Sequence, residues 1–151
     1  MRSKQDPESD NKTLPWYLRK LWPYFLLAGA CFLLYAVTLG YGFSPMDERW
    51  LITQEQATLS HFSNLPKLFT TSTLGFYYRP FLNVTFMIDT VTGGGDKMYF
   101  HLTNILLHAV CCALLFRFFL VSGIEKHVAF FAALLFAVHP VNVHAVAWIP
   151  G

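Results

Sequence analysis

An adjacent acidic pair, Asp47 and Glu48, is the clearest candidate for catalysis in this 151-residue chain. The pair follows the end of a long apolar run at Phe43. A carboxylate held close to hydrocarbon is partly desolvated, and when positioned it can take a proton from a hydroxyl as a general base. The other interpretation is an ordinary solvated acidic pair at a helix exit, and the spacing alone favours that one.

A second feature is Arg79, which follows a run of aromatic residues ending at Tyr78 and precedes Pro80. The planar guanidinium presents a fork of donors that matches phosphate oxygens, and basic side chains at a membrane face attract anionic head groups. Binding of a lipid phosphate or pyrophosphate is one prediction for this site. An arginine that only anchors the chain at the interface is equally compatible with the sequence.

Polar side chains also occur within the apolar segment 99–120. His101, Asn104 and His108 stand at positions i, i+3 and i+7, and at about 100° per residue they share one helix face. Polar groups on a membrane helix are costly unless they face protein or a wet cavity. Hydrogen bonding between helices is the alternative role, which we favour for His108.

His139 precedes Pro140 in the outer half of the last apolar segment. A proline inside a membrane helix frees a backbone carbonyl and can open a polar pocket. A simple kink filled by helix packing is the alternative.

The three cysteines, Cys31, Cys111 and Cys112, all lie in apolar runs without CxxC spacing. We therefore expect them to serve helix packing. The histidine spacing lacks the usual companion ligand of a zinc site. We accordingly assign no metal-ligating residue, and the sequence leaves open whether a divalent metal is needed.

The composition indicates an all-α integral membrane protein. Hydrophobic residues make up 54% of the chain and charged residues only 13%, against about 25% in average soluble domains. The formal net charge of +2 and the absence of a basic patch with interleaved aromatic residues exclude nucleic acid as a partner.

Hydropathy predicts three transmembrane helices and a large outer loop. The run 21–43 has 23 residues without a charge, enough to span a bilayer. The segment 80–92 covers only about 20 Å as a helix, so we predict that it is juxtamembrane. The predicted organisation is a cytoplasmic tail 1–20, helix 21–43, outer loop 44–98 with juxtamembrane helices, helix 99–120, inner connection 121–126, helix 127–147 and a truncated outer loop 148–151.

The distribution of basic residues predicts the orientation of this multi-pass protein. Seven Lys and Arg fall in the segments predicted to be inside and four in the outer loop. By the positive-inside rule the N-terminus is cytoplasmic, and the loop 44–98 is periplasmic or lumenal.

Several strings together resemble the N-terminal membrane part of the transmembrane and tetratricopeptide-repeat O-mannosyltransferases and their bacterial relatives, which are type C glycosyltransferases. The resemblance runs from about residue 41 to the end of the chain. The strings are Gly-Phe at 42–43 with the acidic pair at 47–48, Tyr-Arg-Pro-Phe-Leu at 78–82, Phe-His-Leu-Thr-Asn-Ile-Leu-Leu-His-Ala at 100–109, Leu-Phe-Ala-Val-His-Pro at 135–140 and Ala-Val-Ala-Trp-Ile at 145–149.

The resemblance implies an activity and a partial many-helix bundle. It implies a membrane lipid environment, a polyprenyl-phosphate-linked sugar as donor and a protein as acceptor, with mannose as the expected sugar. It implies that Asp47 is the catalytic base with Glu48 beside it. It places Arg79 and Pro80 in a juxtamembrane segment that faces the lipid-phosphate donor. Together with the aromatic and polar positions described above, this predicts five residues that bind the donor lipid phosphate: Tyr78, Arg79, His101, Asn104 and His139.

Two departures from the family pattern stand out. His144 occupies the position where relatives have Glu, and the sequence stops before an expected Gly-Arg-x-Asp continuation. We expect the chain to be a fragment that is inactive alone, with further helices and tetratricopeptide repeats in the missing part. A non-catalytic membrane scaffold subunit and a transporter fragment with histidines as a proton relay are the alternative functions.

Overall fold

The structure is a computed structural model that describes residues 15–18, 20–43, 52, 55–72 and 78–149, with the side chain of Tyr17 left out. Asp47 and Glu48 lie outside the described residues. Within those ranges the chain forms helices and no strand. We label the α-helices in chain order: α1 Trp22–Tyr35, α2 Gln56–Leu59, α3 Leu65–Leu68, α4 Pro80–Gly93, α5 Lys97–Val121, α6 Lys126–Val138 and α7 Val143–Ala147.

Two segments are long and apolar enough to cross a membrane. They are Trp22–Gly40, in which α1 continues as the 3₁₀ helix Ala36–Gly40, and α5. A third crossing results if α6 and the segment Pro140–Ala147 form one span, which is bent by 47°. The break falls between Val138 and Pro140, beside the proline at which the sequence predicts a kink, because proline has no N–H to continue the helix. The prediction of an all-α membrane protein is confirmed.

The helix boundaries follow from local chemistry. Pro80 begins α4 at a position where its missing N–H costs nothing, and Gly94 ends it with a left-handed φ of 62°. The Asp96 carboxylate then accepts a hydrogen bond from the Met98 N–H at 3.1 Å, which satisfies a donor in the first turn of α5.

Large apolar side chains on the outside of the helices are consistent with a lipid-facing surface. Leu33 is 83% exposed, and Leu114 and Phe118 are each 63% exposed. Near the start of α1 the rings of Trp16 and Trp22 meet edge to face at 5.8 Å, and both rings are exposed. Paired exposed tryptophans are typical of a membrane interface.

The chain divides into two compact units. The first contains the described residues up to Leu34 together with His108–Pro140, so it consists of most of α1, the second part of α5, and α6. Its core is built around Phe116, whose ring contacts Tyr24 at 5.3 Å and Phe130 at 6.3 Å, both edge to face. The other fully buried members of this core include small residues that let the helices approach closely: Cys31, Cys112, Ala129, Ala133 and Ala137.

The second unit contains the described residues of Tyr35–Leu107 and those from Val141 to Ile149. Helices α2 and α3 pack on α4, and their buried Leu59 and Leu68 join Phe86 and Met87 in one core. The ring of Phe86 meets that of Phe100 on α5 at 5.6 Å. Helix α4 is therefore held between the short helices and the beginning of α5.

A buried carboxylate also joins α4 to α5. The Thr103 hydroxyl donates a hydrogen bond of 2.5 Å to Asp89, which is 3% exposed. Desolvation by burial raises the pKa of Asp89 to about 6, although the hydrogen bond from Thr103 opposes that rise. The folded protein therefore favours the protonated form of this side chain more than water does.

Core packing around Phe116 supplies the first prediction. We expect Phe116→Ala to lower the free energy of unfolding by about 3–5 kcal/mol, because it removes a fully buried ring and leaves a cavity. The matched control is Phe118→Ala on the same helix, where the ring is 63% exposed. Thermal unfolding in detergent micelles measures both; equal losses for the two variants would contradict the core assignment.

The raised pKa of Asp89 supplies the second prediction. Between the ordinary value of 3.8 and about 6, the folded state binds more protons than the unfolded state, so stability falls as pH rises through this window. The full change is about 3 kcal/mol. We expect Asp89→Asn to remove this pH dependence while keeping an acceptor for Thr103. Denaturation midpoints measured from pH 4 to 7 provide the test, and an unchanged slope in the variant would refute it.

Candidate functional site

A cavity of about 270 Å³ lies in the second unit. Its volume is just below the lower end, about 300 Å³, of typical small-molecule sites. The 3₁₀ helix after α1 leads into one wall, the first turns of α5 supply another, and α7 closes the third. The lining residues are Tyr41, Gly42, His101, Val143, His144, Ala147 and Trp148.

His101 is the buried polar group of this cavity. It is 1% exposed, and its ring meets that of Tyr41 edge to face at 6.3 Å. Tyr41 and Gly42 belong to the chain that continues through Phe43 toward the acidic pair. Among the predicted site residues that the structure describes, His101 is the one that lines this cavity.

His144 and Trp148 form the opposite wall, with their ring centroids 4.7 Å apart. Histidine nitrogens either donate or accept a hydrogen bond, depending on the tautomer, and the aromatic rings supply apolar surface. A wall of this kind suits a ligand that carries both hydroxyl groups and C–H faces.

Asn104 positions that wall. Its side-chain amide nitrogen lies 3.4 Å from the carbonyl oxygen of Val146, 3.2 Å from that of Trp148 and 3.3 Å from that of Ile149. These carbonyls at the end of α7 lack partners within the helix. The contacts of the amide group are therefore structural, and the predicted role of Asn104 in binding a lipid phosphate stays a prediction.

His108 and His139 both belong to the first unit. His108 is buried, and its Nε2 lies 3.0 Å from the carbonyl oxygen of Ala137. Because a carbonyl only accepts, Nε2 carries the proton in this bond. The interhelical hydrogen bond expected for His108 is confirmed. His139 is exposed at the end of α6, where its backbone N–H donates to Phe136 at 3.3 Å.

Tyr78 and Arg79 lie at the beginning of α4 and are exposed. The Tyr78 hydroxyl donates a hydrogen bond of 3.0 Å to the carbonyl of Phe69. Arg79 is the residue immediately before the helix, and its carbonyl accepts the backbone N–H of Asn83 at 3.1 Å. Neither residue lines the cavity that contains His101.

Two contacts between residues distant in the sequence were not predicted from the sequence. Asp89 and Thr103 pair across 14 positions, and only the appearance of an acidic residue in an apolar stretch hinted at a buried carboxylate. Cys31, His108 and Cys112 come together in the first unit. The signal available for the second group was the i, i+4 spacing of His108 and Cys112, which places both on one helix face.

Comparisons with known proteins find similarity to protein O-mannosyl-transferases. Protein O-mannosyl-transferase TMTC2 of Mus musculus is 38% identical over 74 residues, 49% of this chain and 9% of that protein. TMTC1 of Homo sapiens is 40% identical over 75 residues, 49% of this chain and 8% of that protein. Tmtc2 of Drosophila melanogaster is 34% identical over 130 residues, which cover 80% of this chain and 14% of that protein.

No protein-family model matches the sequence, and no solved structure matches it. The similarity to the curated relatives nevertheless extends over half to four fifths of the chain. Over the stretch that they share, the chain is thus a sequence relative of the TMTC protein O-mannosyl-transferases.

Proposed function

We propose that this chain forms part of a membrane glycosyltransferase that transfers a sugar, mannose, from a polyprenyl-phosphate donor to a hydroxyl group of an acceptor protein. The relatives are named protein O-mannosyl-transferases. The observation that carries the proposal is the cavity beside Tyr41 and Gly42, which combines a buried histidine with aromatic walls directly ahead of the acidic pair in the sequence.

The short chain between Gly42 and Asp47 supports a site that contains both the cavity and the acidic pair. Five peptide units join Gly42 to Asp47, and a chain of that length reaches at most about 18 Å. The acidic pair is therefore tethered within about 18 Å of a cavity of about 270 Å³ that is lined by histidine and aromatic side chains. His101 and His144 offer hydrogen bonds there to sugar hydroxyls, and Trp148 offers an apolar face.

In the proposed reaction Asp47 acts as the general base. Its carboxylate takes the proton of the acceptor hydroxyl while the hydroxyl oxygen forms a bond to the anomeric carbon of the sugar. The bond between that carbon and the phosphate oxygen breaks, and the electron pair leaves with the lipid phosphate. Glu48, as the adjacent carboxylate, keeps the local potential negative.

The leaving phosphate requires positive charge, and the beginning of α4 offers it. Arg79 is exposed immediately before this helix of 14 residues. Because Arg79 directly precedes the N-terminus of α4, its guanidinium and the positive end of the helix dipole both stabilise negative charge that develops on a phosphate bound there. Tyr78 adds an aromatic residue beside the arginine.

The proposed topology puts this chemistry at one membrane face. Three crossings, with the N-terminus in the cytoplasm, leave α2, α3 and α4 on the periplasmic or lumenal side. The basic residues before α1 support that orientation.

A non-catalytic scaffold is the second candidate, and one observation favours it. Asn104 and His108 direct their side chains at backbone carbonyls rather than into a cavity. Much of the polar face of α5 therefore serves packing. In this alternative His101 completes the packing pattern, and the acidic pair takes no part in a reaction.

The role of Asp47 is tested in the complete protein in its membrane. We expect Asp47→Asn to lower the rate of mannose transfer by at least about 100-fold, since it removes the proton acceptor. Transfer from a polyprenyl-phosphate sugar to an acceptor peptide is the assay. The matched control is Glu55→Gln, an acidic residue of the same loop, which should transfer normally. Undiminished transfer by Asp47→Asn would leave the scaffold as the better explanation.

The role of Arg79 is tested separately. We expect Arg79→Ala to raise the KM for the donor by about 10-fold, because one charge-assisted contact to phosphate is lost. Arg79→Lys should restore only part of that affinity, since an ammonium group lacks the guanidinium fork. The control is Lys67→Ala, which removes an exposed cation from α3 in the same unit. A donor KM equal to that of the wild type in Arg79→Ala would contradict the assignment.

A further inference from the structure

Three side chains of the first unit bring soft ligand atoms together. The sulfur atoms of Cys31 and Cys112 are 3.7 Å apart, and Cys112 Sγ lies 3.8 Å from Nε2 of His108. The three ligand atoms all fall within 4.8 Å of one another, and all three residues are buried. The cluster shares no residue with the cavity that contains His101, which is described in the second unit.

Two helices build the cluster. Cys31 lies on α1, and His108 and Cys112 lie one turn apart on the same face of α5. The two cysteines are 81 positions apart in the sequence. For that reason no short motif marks the cluster, and the sequence predicts only helix packing for the cysteines.

The separations fit the coordination shell of a metal. Zinc binds thiolate sulfur at about 2.3 Å and histidine nitrogen at about 2.0–2.1 Å. In a tetrahedral arrangement these bonds put two sulfurs about 3.8 Å apart and a sulfur and a nitrogen about 3.6 Å apart. The observed 3.7 Å and 3.8 Å are close to both values. A disulfide would instead need the sulfurs to approach to about 2.05 Å.

The apolar surroundings of the cluster favour a metal site with no net charge. The cluster belongs to an apolar core with Leu27, Phe116 and Ala133, where a net charge is costly. Two thiolates balance the charge of a divalent cation, and a neutral imidazole leaves the sum at zero. A thiophilic divalent ion of d¹⁰ configuration therefore suits the site better than a hard cation such as Mg²⁺.

We propose that Cys31, Cys112 and His108 bind Zn²⁺ in the core of the first unit. On binding, each thiol releases its proton to solvent, and the two sulfurs bond to the metal as thiolates. The imidazole stays neutral by carrying its proton on Nδ1, which gives the lone pair of Nε2 to the metal.

Three protein ligands leave a fourth coordination position. When Nε2 binds the metal, the carbonyl of Ala137 loses the hydrogen bond from His108. A water molecule in the fourth position can donate to that carbonyl, so no buried acceptor is left unsatisfied. Zinc would thus join α1 and α5 directly and α6 through the water.

The competing explanation is packing alone, with a weak thiol–thiol contact and the bond from His108 to Ala137. The full chain, purified in detergent under a non-chelating reductant and stripped of metal, is titrated with ZnCl₂ against a chromophoric chelator. We expect one Zn²⁺ per chain, release of about two protons, and a higher Tm with zinc than without it. No binding in competition with the chelator would overturn the proposal.

Adjacent cysteines provide the matched pair of variants. Cys112→Ser and Cys31→Ser should weaken zinc binding by at least about 100-fold, because a hydroxyl is a poor substitute for a thiolate ligand. Cys111→Ser, at the exposed neighbouring position, should bind zinc as the wild type does. His108→Gln can still donate to the Ala137 carbonyl but cannot offer an imidazole nitrogen, so it should also lose affinity. A loss of zinc affinity in Cys111→Ser equal to that in Cys112→Ser would overturn the proposed site.

A spectroscopic measurement on the wild type covers the case in which a core variant does not fold. Co²⁺ bound in place of zinc should show a thiolate-to-metal charge-transfer band with the intensity of two thiolates. A spectrum without that band would overturn the proposal. A chain isolated with a Cys31–Cys112 disulfide that binds no Zn²⁺ after reduction would also overturn it.

Discussion

Hydrogen bonds from side chains of α5 to backbone carbonyls at the end of α6 and at the end of α7 are the constraint on which much of this structure depends. In hydrocarbon every backbone polar group needs a partner inside the protein, so the carbonyls at the ends of α6 and α7, which lack partners within their helices, require donors from elsewhere. Helix α5 supplies them. Within the first unit His108 donates to Ala137, and within the second unit Asn104 donates to the carbonyls at the end of α7.

This constraint separates the roles of three polar residues that share one face of α5. His108 and Asn104 use their side chains on the backbone, and both would be costly to remove because they would leave buried carbonyls unsatisfied. His101 instead borders a cavity, and Asn104 holds the wall of that cavity in place through the segment that carries His144 and Trp148. The same helix face thus serves both the architecture and the candidate site.

The sequence predicted what depends on composition and on local breakers. Long apolar runs indicated an all-α membrane protein, Pro80 marked the beginning of α4, and Pro140 marked the bend. It did not predict pairings across distance. Asp89 and Thr103 meet only because α4 packs on α5, and Cys31 meets Cys112 only because α1 packs on α5. Such contacts depend on which face each helix turns toward its neighbour. The spacing of polar and apolar residues does not determine that face when polar residues are few.

The segment before α5 also shows why a perturbed carboxylate is not by itself a catalytic one. Asp89 has a pKa of about 6, within the range expected of a catalytic acid or base. Its side chain is 3% exposed, however, and it accepts the hydroxyl of Thr103, so the hydroxyl group of an acceptor protein has no access to it. The same burial that raises its pKa joins α4 to α5. A base for an acceptor hydroxyl must instead be a carboxylate that the acceptor can reach. We therefore propose Asp47 for that role because of its place in the chain and the family resemblance, and assign Asp89 to helix packing.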